Sequence, residues 1–206
     1  VTGVQTCALP ILEAAHGALH SVGYSQRLDG EWSLAAQVNG LERHDSVASH
    51  QSAAAAVQYW SADRLNRFQW RALTDSKGRA GTWLDADQKD GPLQNRYGIF
   101  RIEPYAAWTD VPILNDQQGG YWRSDYRTPR YTLSGGADYT DINVHNDATR
   151  PGSRTASGFV SGFWRIDRTL NWNANASVSH GQPKFFSLSA SPTTTTTINS
   201  AAAKTL

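Results

Sequence analysis

A chain of 206 residues has room for one or two ordinary domains, or for a single barrel spending most of its length in strands. Its net charge is +1, with mixed signs and no basic tail or patch, so nucleic acid is not expected as a partner. No run approaches the roughly 18 consecutive apolar residues of a membrane-spanning helix, and no stretch has the basic start, apolar middle and small-residue end of a signal peptide. Eight Trp and eight Tyr against six Phe favour amphipathic rings, suited to the boundary of an apolar band with water or to the core of a soluble β-domain.

The opening segment, VTGVQTCALPI (residues 1–11), resembles a sequencing-library adapter translated in frame and is set aside from fold reasoning. With it goes Cys7, the single cysteine, and the basis for a disulfide, a thiolate metal site or a cysteine nucleophile. The lack of methionine fits a fragment that starts inside a reading frame.

From there the chain alternates with a period of two, the signature of strands with one apolar and one polar face. His20, Val22, Tyr24 and Leu28 oppose Ser21, Gly23, Ser25 and Arg27; after the hairpin signal Asp29-Gly30, Trp32, Leu34, Ala36 and Val38 oppose Glu31, Ser33, Gln37 and Asn39. A third strand runs through Ala55, Val57 and Tyr59, and a fourth sets Phe68, Trp70 and Ala72 against Arg67, Gln69 and Arg71. The fifth places Thr82, Leu84 and Ala86 opposite Trp83, Asp85 and Asp87; the sixth places Phe100, Ile102 and Ala106 opposite Arg101, Glu103 and Tyr105. Pro104 within that sixth strand implies a bulge or an edge. The seventh sets Trp122, Ser124 and Tyr126 against Arg123, Asp125 and Arg127; the eighth spans Tyr131 to Tyr139, with a bend at Gly135-Gly136; the ninth spans Phe159 to Asp167. The tenth has the clearest pattern: Leu170, Trp172, Ala174, Ala176 and Val178 oppose Asn171, Asn173, Asn175, Ser177 and Ser179. A weak eleventh covers Phe185 to Ala190, and residues 191–206 read as a low-complexity or disordered tail. The expected fold is therefore all-β: an antiparallel up-and-down meander of about eleven strands over residues 12–190, part of a transmembrane β-barrel. An odd, unclosed set of strands would expose two edges and promote aggregation or pairing with another chain.

The connections carry a second regularity. Asp29-Gly30, Ala62 to Leu65, Lys89 to Pro92, Thr128 to Arg130 and Asp167 to Thr169 read as short turns, whereas His44 to Gln51, Thr109 to Gln118 and Val144 to Arg154 read as longer polar loops and Asp75 to Arg79 is only middling in length. Short turns at one end and long loops at the other are characteristic of outer-membrane barrels. In this general style, over roughly residues 18 to 190, the chain resembles the Gram-negative outer-membrane β-barrel proteins, the porins and related channel or export barrels. The resemblance implies a bacterial outer-membrane location, outer-membrane lipid as partner, and passage of small polar solutes or an exported polymer.

On that reading Arg67, Arg71, Asp85, Asp87, Arg101, Glu103, Arg123, Asp125, Arg127 and Arg165 face the lumen, with Asp167 nearby. Opposed charges across a narrow pore filter polar solutes; the same charges also serve simply as cross-strand pairs that hold register. Trp32, Trp70, Trp108, Trp122, Trp164 and Trp172 tend to lie near strand ends, as interfacial girdles do, while Trp60 and Trp83 fall on the polar face. Those rings leave open a soluble β-sandwich that stacks carbohydrate on Trp and Tyr. An outer-membrane lipase is a further rival, but Gly158 to Gly162 reads GFVSG, which misses the nucleophile-elbow spacing. No catalytic residue, cofactor or metal is expected; His44, Asp45, His50, His145 and Asp147 are ordinary loop residues without ligand spacing.

Overall fold

In the computed structural model, residues 17–43, 50–106, 116–167, 169–185 and 191–204 are described. Among the described residues eleven strands form one antiparallel meander sheet in chain order. The strands are β1 (Gly17–Arg27), β2 (Trp32–Arg43), β3 (His50–Trp60), β4 (Asn66–Asp75), β5 (Ala80–Asp90), β6 (Leu93–Ile102), β7 (Gln117–Arg127), β8 (Tyr131–Ile142), β9 (Gly152–Arg165), β10 (Leu170–Phe185) and β11 (Thr193–Lys204). The chain divides into two compact units: Val1–Asp85 with Phe100–Gln117, and Ala86–Ile99 with Gln118–Leu206.

Cross-strand register puts like with like, because directly paired residues share a face. In the first unit one face carries rows such as Val22–Val38–Ala53 and Leu34–Val57–Trp70, ending in Trp32–Tyr59–Phe68 beside the turns. The Trp32 and Tyr59 rings meet at 4.9 Å between centroids. The opposite face carries Ser21–Asn39–Ser52–Asp75 and Arg27–Ser33–Gln58–Gln69. In the second unit Tyr131–Trp164–Trp172 and Gly135–Val160–Ala176–Ile198 form apolar-face rows, against Ser134–Ser161–Asn175–Asn199 and Asp138–Ser157–Ser179–Thr195.

Burial along β2 to β8 runs opposite to that of a soluble sheet, whereas in β10 Asn173, Asn175 and Ser177 on the polar face are exposed and Ala174 and Ala176 on the apolar face are half-buried. Val22 and Ile99 are each 62% exposed, Val38 57% and Trp164 51%, whereas Asn39 and Ser52 on the polar face are 2% and 4% exposed. An antiparallel sheet in water normally buries its apolar face.

Three expectations shift. β6 begins at Leu93 and ends at Ile102, so Pro104 lies in the following turn and no bulge or edge is needed. β9 starts earlier than the expected Phe159, at Gly152. The eleventh strand is Thr193–Lys204, within the segment read as tail; Phe185 ends β10, and 186–190 lie outside the described residues, as does the 1–11 segment. The tail pairs with β10 without interruption from Thr193 to Lys204, since β-branched threonines suit a pleated strand.

Candidate functional site

The polar face is built by alternation, so each residue's side follows from its strand register. In the first unit an Arg71 guanidinium nitrogen lies 2.6 Å from an Asp85 carboxylate oxygen, and that guanidinium also sits 6.0 Å from the Trp83 ring centroid. Arg67 pairs directly with Trp60, and the Arg64 and Arg67 guanidinium carbons each lie 5.8 Å from its ring. Trp60 and Trp83, off-pattern in the sequence, thus belong to the polar face and share it with cations attracted to their ring faces. Gln37 Nε2 donates to Ser21 Oγ and Asn39 Oδ1, both at 2.8 Å.

In the second unit Arg123 donates to both oxygens of Asp138, at 2.6 and 2.8 Å, and lies 5.9 and 5.2 Å from the Tyr121 and Phe159 rings. Asp125 accepts from Ser134 Oγ at 2.6 Å, with Arg96 at 3.7 Å and Arg127 at 3.9 Å. Asp87 stands two residues from Asp85 on the same strand, and Arg165 pairs with Asn171 opposite the Trp164–Trp172 face. Two glycines make room on this face. A Cβ on Gly98 would fall 2.1 Å from Tyr121 Cε1, and one on Gly136 would fall 2.6 Å from the Trp122 carbonyl and 2.8 Å from Phe159 Cε1. Both positions therefore admit only glycine while the rings lie against the sheet.

Two of the expected polar-face residues stand elsewhere. A Cβ on Gly81 would meet the Trp83 ring and Ile102 Cγ2, so Ile102 is on the polar side, where it is 4% exposed. Arg101 then projects to the opposite face, with the exposed Tyr97 and Ile99. Both faces of β6 are partly apolar, so its alternation reads equally well in either phase. Glu103 follows the strand, and its carboxylate accepts the Ala80 amide at 2.8 Å, fastening the start of β5.

Of the aromatic candidates, Trp32, Trp164 and Trp172 stand on the apolar face beside the short turns, whereas Trp70 and Trp122 lie in mid-strand on that face. Trp108 lies outside the described residues. The turn-side band also includes residues the sequence reading passed over. Tyr59 and Phe68 join Trp32 in the first unit, and Tyr126 and Tyr131, their rings stacked at 5.7 Å, join Trp164 in the second. Their position next to each predicted turn was the available signal.

The connections after β1, β3, β7 and β9 share one device, a side-chain oxygen that takes up backbone N–H groups. Asp29 accepts from Trp32 and Glu31, and Asp167 from Thr169 and Leu170, which holds both carboxyls below their ordinary range. Asp63 is lowered by the Ser61 hydroxyl and the Leu65 amide. Thr128 Oγ1 does the same work without a charge, accepting from Tyr131 at 3.0 Å.

At the other end, loop 143–151 is fastened from within. Asn143, 1% exposed, donates to the Asp147 and Arg150 carbonyls at 2.7 and 3.0 Å and accepts the Asp147 amide at 2.8 Å. A register shift between Pro183 and Phe185 frees Lys184 from the pleat. Lys184 ion-pairs with Asp141, each side chain 6% exposed, and donates to the Asn143 carbonyl at 3.0 Å.

Among the described residues no three His, Cys, Asp or Glu side chains come together as a metal site, and no helix is long and apolar enough to cross a membrane, which does not bear on crossing by strands. No family model matches the chain, and no curated protein or solved structure matches it.

Proposed function

We propose that this chain is part of a Gram-negative outer-membrane β-barrel, serving as a channel, export or structural barrel with a charged polar lumen and no enzymatic activity of its own. The observation that carries the reading is the inverted burial of β2 to β8: large apolar side chains stand out from one face of these strands, while their polar face is the more enclosed. Lipid is the solvent that rewards such an outer face. The turn-side aromatic band and the long fastened loop 143–151 at the opposite end support the same orientation, with the short turns periplasmic. Solutes or a polymer would then pass along the face that holds Arg71–Asp85, Arg123–Asp138 and Asp125.

The test is membrane partition followed by reconstitution. The protein is expected to need detergent for monodispersity, to float with liposomes and to resist carbonate extraction. A monodisperse, fully water-soluble protein would end this reading; Trp60 and Trp83 would then become the ligand surface of a soluble carbohydrate-binding β-sandwich.

A further inference from the structure

Phe163 is out of place by the alternation of its own strand. It pairs with Asn173 on β10 and Thr132 on β8, which puts it on the polar face, yet its ring is 40% exposed. Other rings on the polar faces of the two units carry a guanidinium: Trp60 has Arg64 and Arg67, Trp83 has Arg71, and Phe159 has Arg123. Among the described residues no cation sits over Phe163. Its neighbours are amides instead. Asn173 stands directly beside it, Asn171 and Asn175 follow on the same face at steps of about 7 Å along β10, and Asn199 is paired with Asn175. Asn173, Asn175 and Asn199 are exposed, and among the described residues no side-chain hydrogen bond engages them. Nearby on this face the polar groups are spent on one another, Arg123 on Asp138 and Ser134 on Asp125. Charge is absent as well. Between the Arg165–Asn171 row and the Asp138–Ser157–Ser179 row, the polar-face rows through Phe163, Ser161 and Phe159 hold no ionisable side chain across β8 to β11.

We propose that Phe163 with Asn171, Asn173, Asn175 and Asn199 forms a binding site for a neutral oligosaccharide. An open ring rimmed by uncharged amides suits a ligand with an apolar face and a polar edge, and a pyranose has both, C–H groups on its faces and hydroxyls around its rim. Each carboxamide offers two donors and an acceptor, enough to take two adjacent hydroxyls, and no charge has to be stripped of water on either side. An anionic chain would find no cation within these rows. The proposal deepens the lumen reading and rests on it for the part the wall plays, a hold on a neutral solute or polymer in transit; the binding itself needs only the folded sheet.

The experiment is equilibrium dialysis of the whole chain, in detergent micelles and in detergent-free buffer, against labelled maltoheptaose, cellohexaose and chitohexaose, with hexagalacturonate as the anionic counterpart. At least one neutral sugar is expected to bind, and hexagalacturonate to bind more weakly. Phe163→Ala is expected to weaken binding about tenfold, Phe163→Trp to restore it, and Asn173→Leu to weaken it about threefold to tenfold, all with unchanged strand circular dichroism. No binding of the three neutral sugars at millimolar concentration would overturn the proposal, as would preference for hexagalacturonate. Loss of binding in Trp60→Ala or Trp83→Ala with Phe163→Ala unaffected would overturn it too. Dialysis reads binding and not partition: a protein that needs detergent but binds no neutral sugar ends this proposal and leaves the membrane reading standing, while a water-soluble protein that binds through Phe163 does the reverse.

Discussion

On the polar face of the second unit, β7 and β8 meet through charge: Arg123 forks onto Asp138, and Asp125 takes the Ser134 hydroxyl with Arg96 and Arg127 nearby. Farther along, β10 and β11 meet through uncharged groups, Asn175 against Asn199, Ser177 against Thr197 and Ser179 against Thr195. Each guanidinium–carboxylate pair in the first region fits one register. In the second, within Thr193 to Thr197, a shift of one or two residues mostly exchanges one threonine for another. The first region therefore specifies its alignment with side chains, and the second relies on backbone pairing and on its ties to neighbouring strands.

The strongest of those ties is Lys184–Asp141, which joins the end of β10 to the end of β8. Asp141→Ala is expected to cost about 3–5 kcal/mol in denaturant unfolding, because it leaves a lysine ammonium buried without its counter-charge. Asp141→Leu combined with Lys184→Met is expected to recover most of that loss; a double variant as unstable as the single one would mean that the pair does more than neutralise itself.

Next in size is the packing of β8. Gly136→Ala places a methyl against the Trp122 carbonyl and the Phe159 ring and is expected to cost about 1–3 kcal/mol, whereas Gly162→Ala, whose nearest neighbour is Leu133 Cδ1 at 3.9 Å, should be close to neutral. Equal effects at the two glycines would break the contrast between a filled face and an open one.

A smaller effect separates the charged region from the uncharged one directly. Arg123→Ala is expected to cost about 1 kcal/mol, since its pair with Asp138 is one-third exposed and partly screened, while Ser177→Ala should fall within about 0.5 kcal/mol of no change. If Ser177→Ala matched Arg123→Ala, the uncharged rows would be specifying register after all.

The smallest effect is one of pH. The Asp29 and Asp167 carboxyls are lowered by backbone N–H donors, so their stabilisation is present above the ordinary carboxylate range and is lost as pH falls through their depressed values. Amide chemical shifts of Glu31, Trp32, Thr169 and Leu170 should move on acidification, while those of Arg130 and Tyr131, held by the Thr128 hydroxyl, should stay in place.

Much of this was legible from residues alone, and the misses share a cause. Alternation placed Phe68 and Trp70 apart from Arg67 and Arg71, and Trp172 apart from Asn171 and Asn173, because each strand contrasts sharply between its faces. β6 lacks that contrast, with Tyr97 and Ile99 on one side and Phe100 and Ile102 on the other, so Arg101 was assigned to the wrong face. β11 lacks it too: a run of threonine has no apolar phase to read. Asp141 and Lys184 are far apart in the chain, and a bulge re-aims the lysine, so no local pattern joins them.

By itself the sequence determined the class of the fold, the alternation of most strands and the aspartate-held turns, since those depend on contacts among near neighbours in the chain. Only the tertiary structure decided that the polar face of β2 to β8 is the more enclosed one, that rings lie over Gly98 and Gly136, and that Lys184 reaches Asp141. Each of these depends on cross-strand register, which is a sum over many pairings and is recorded at no single position.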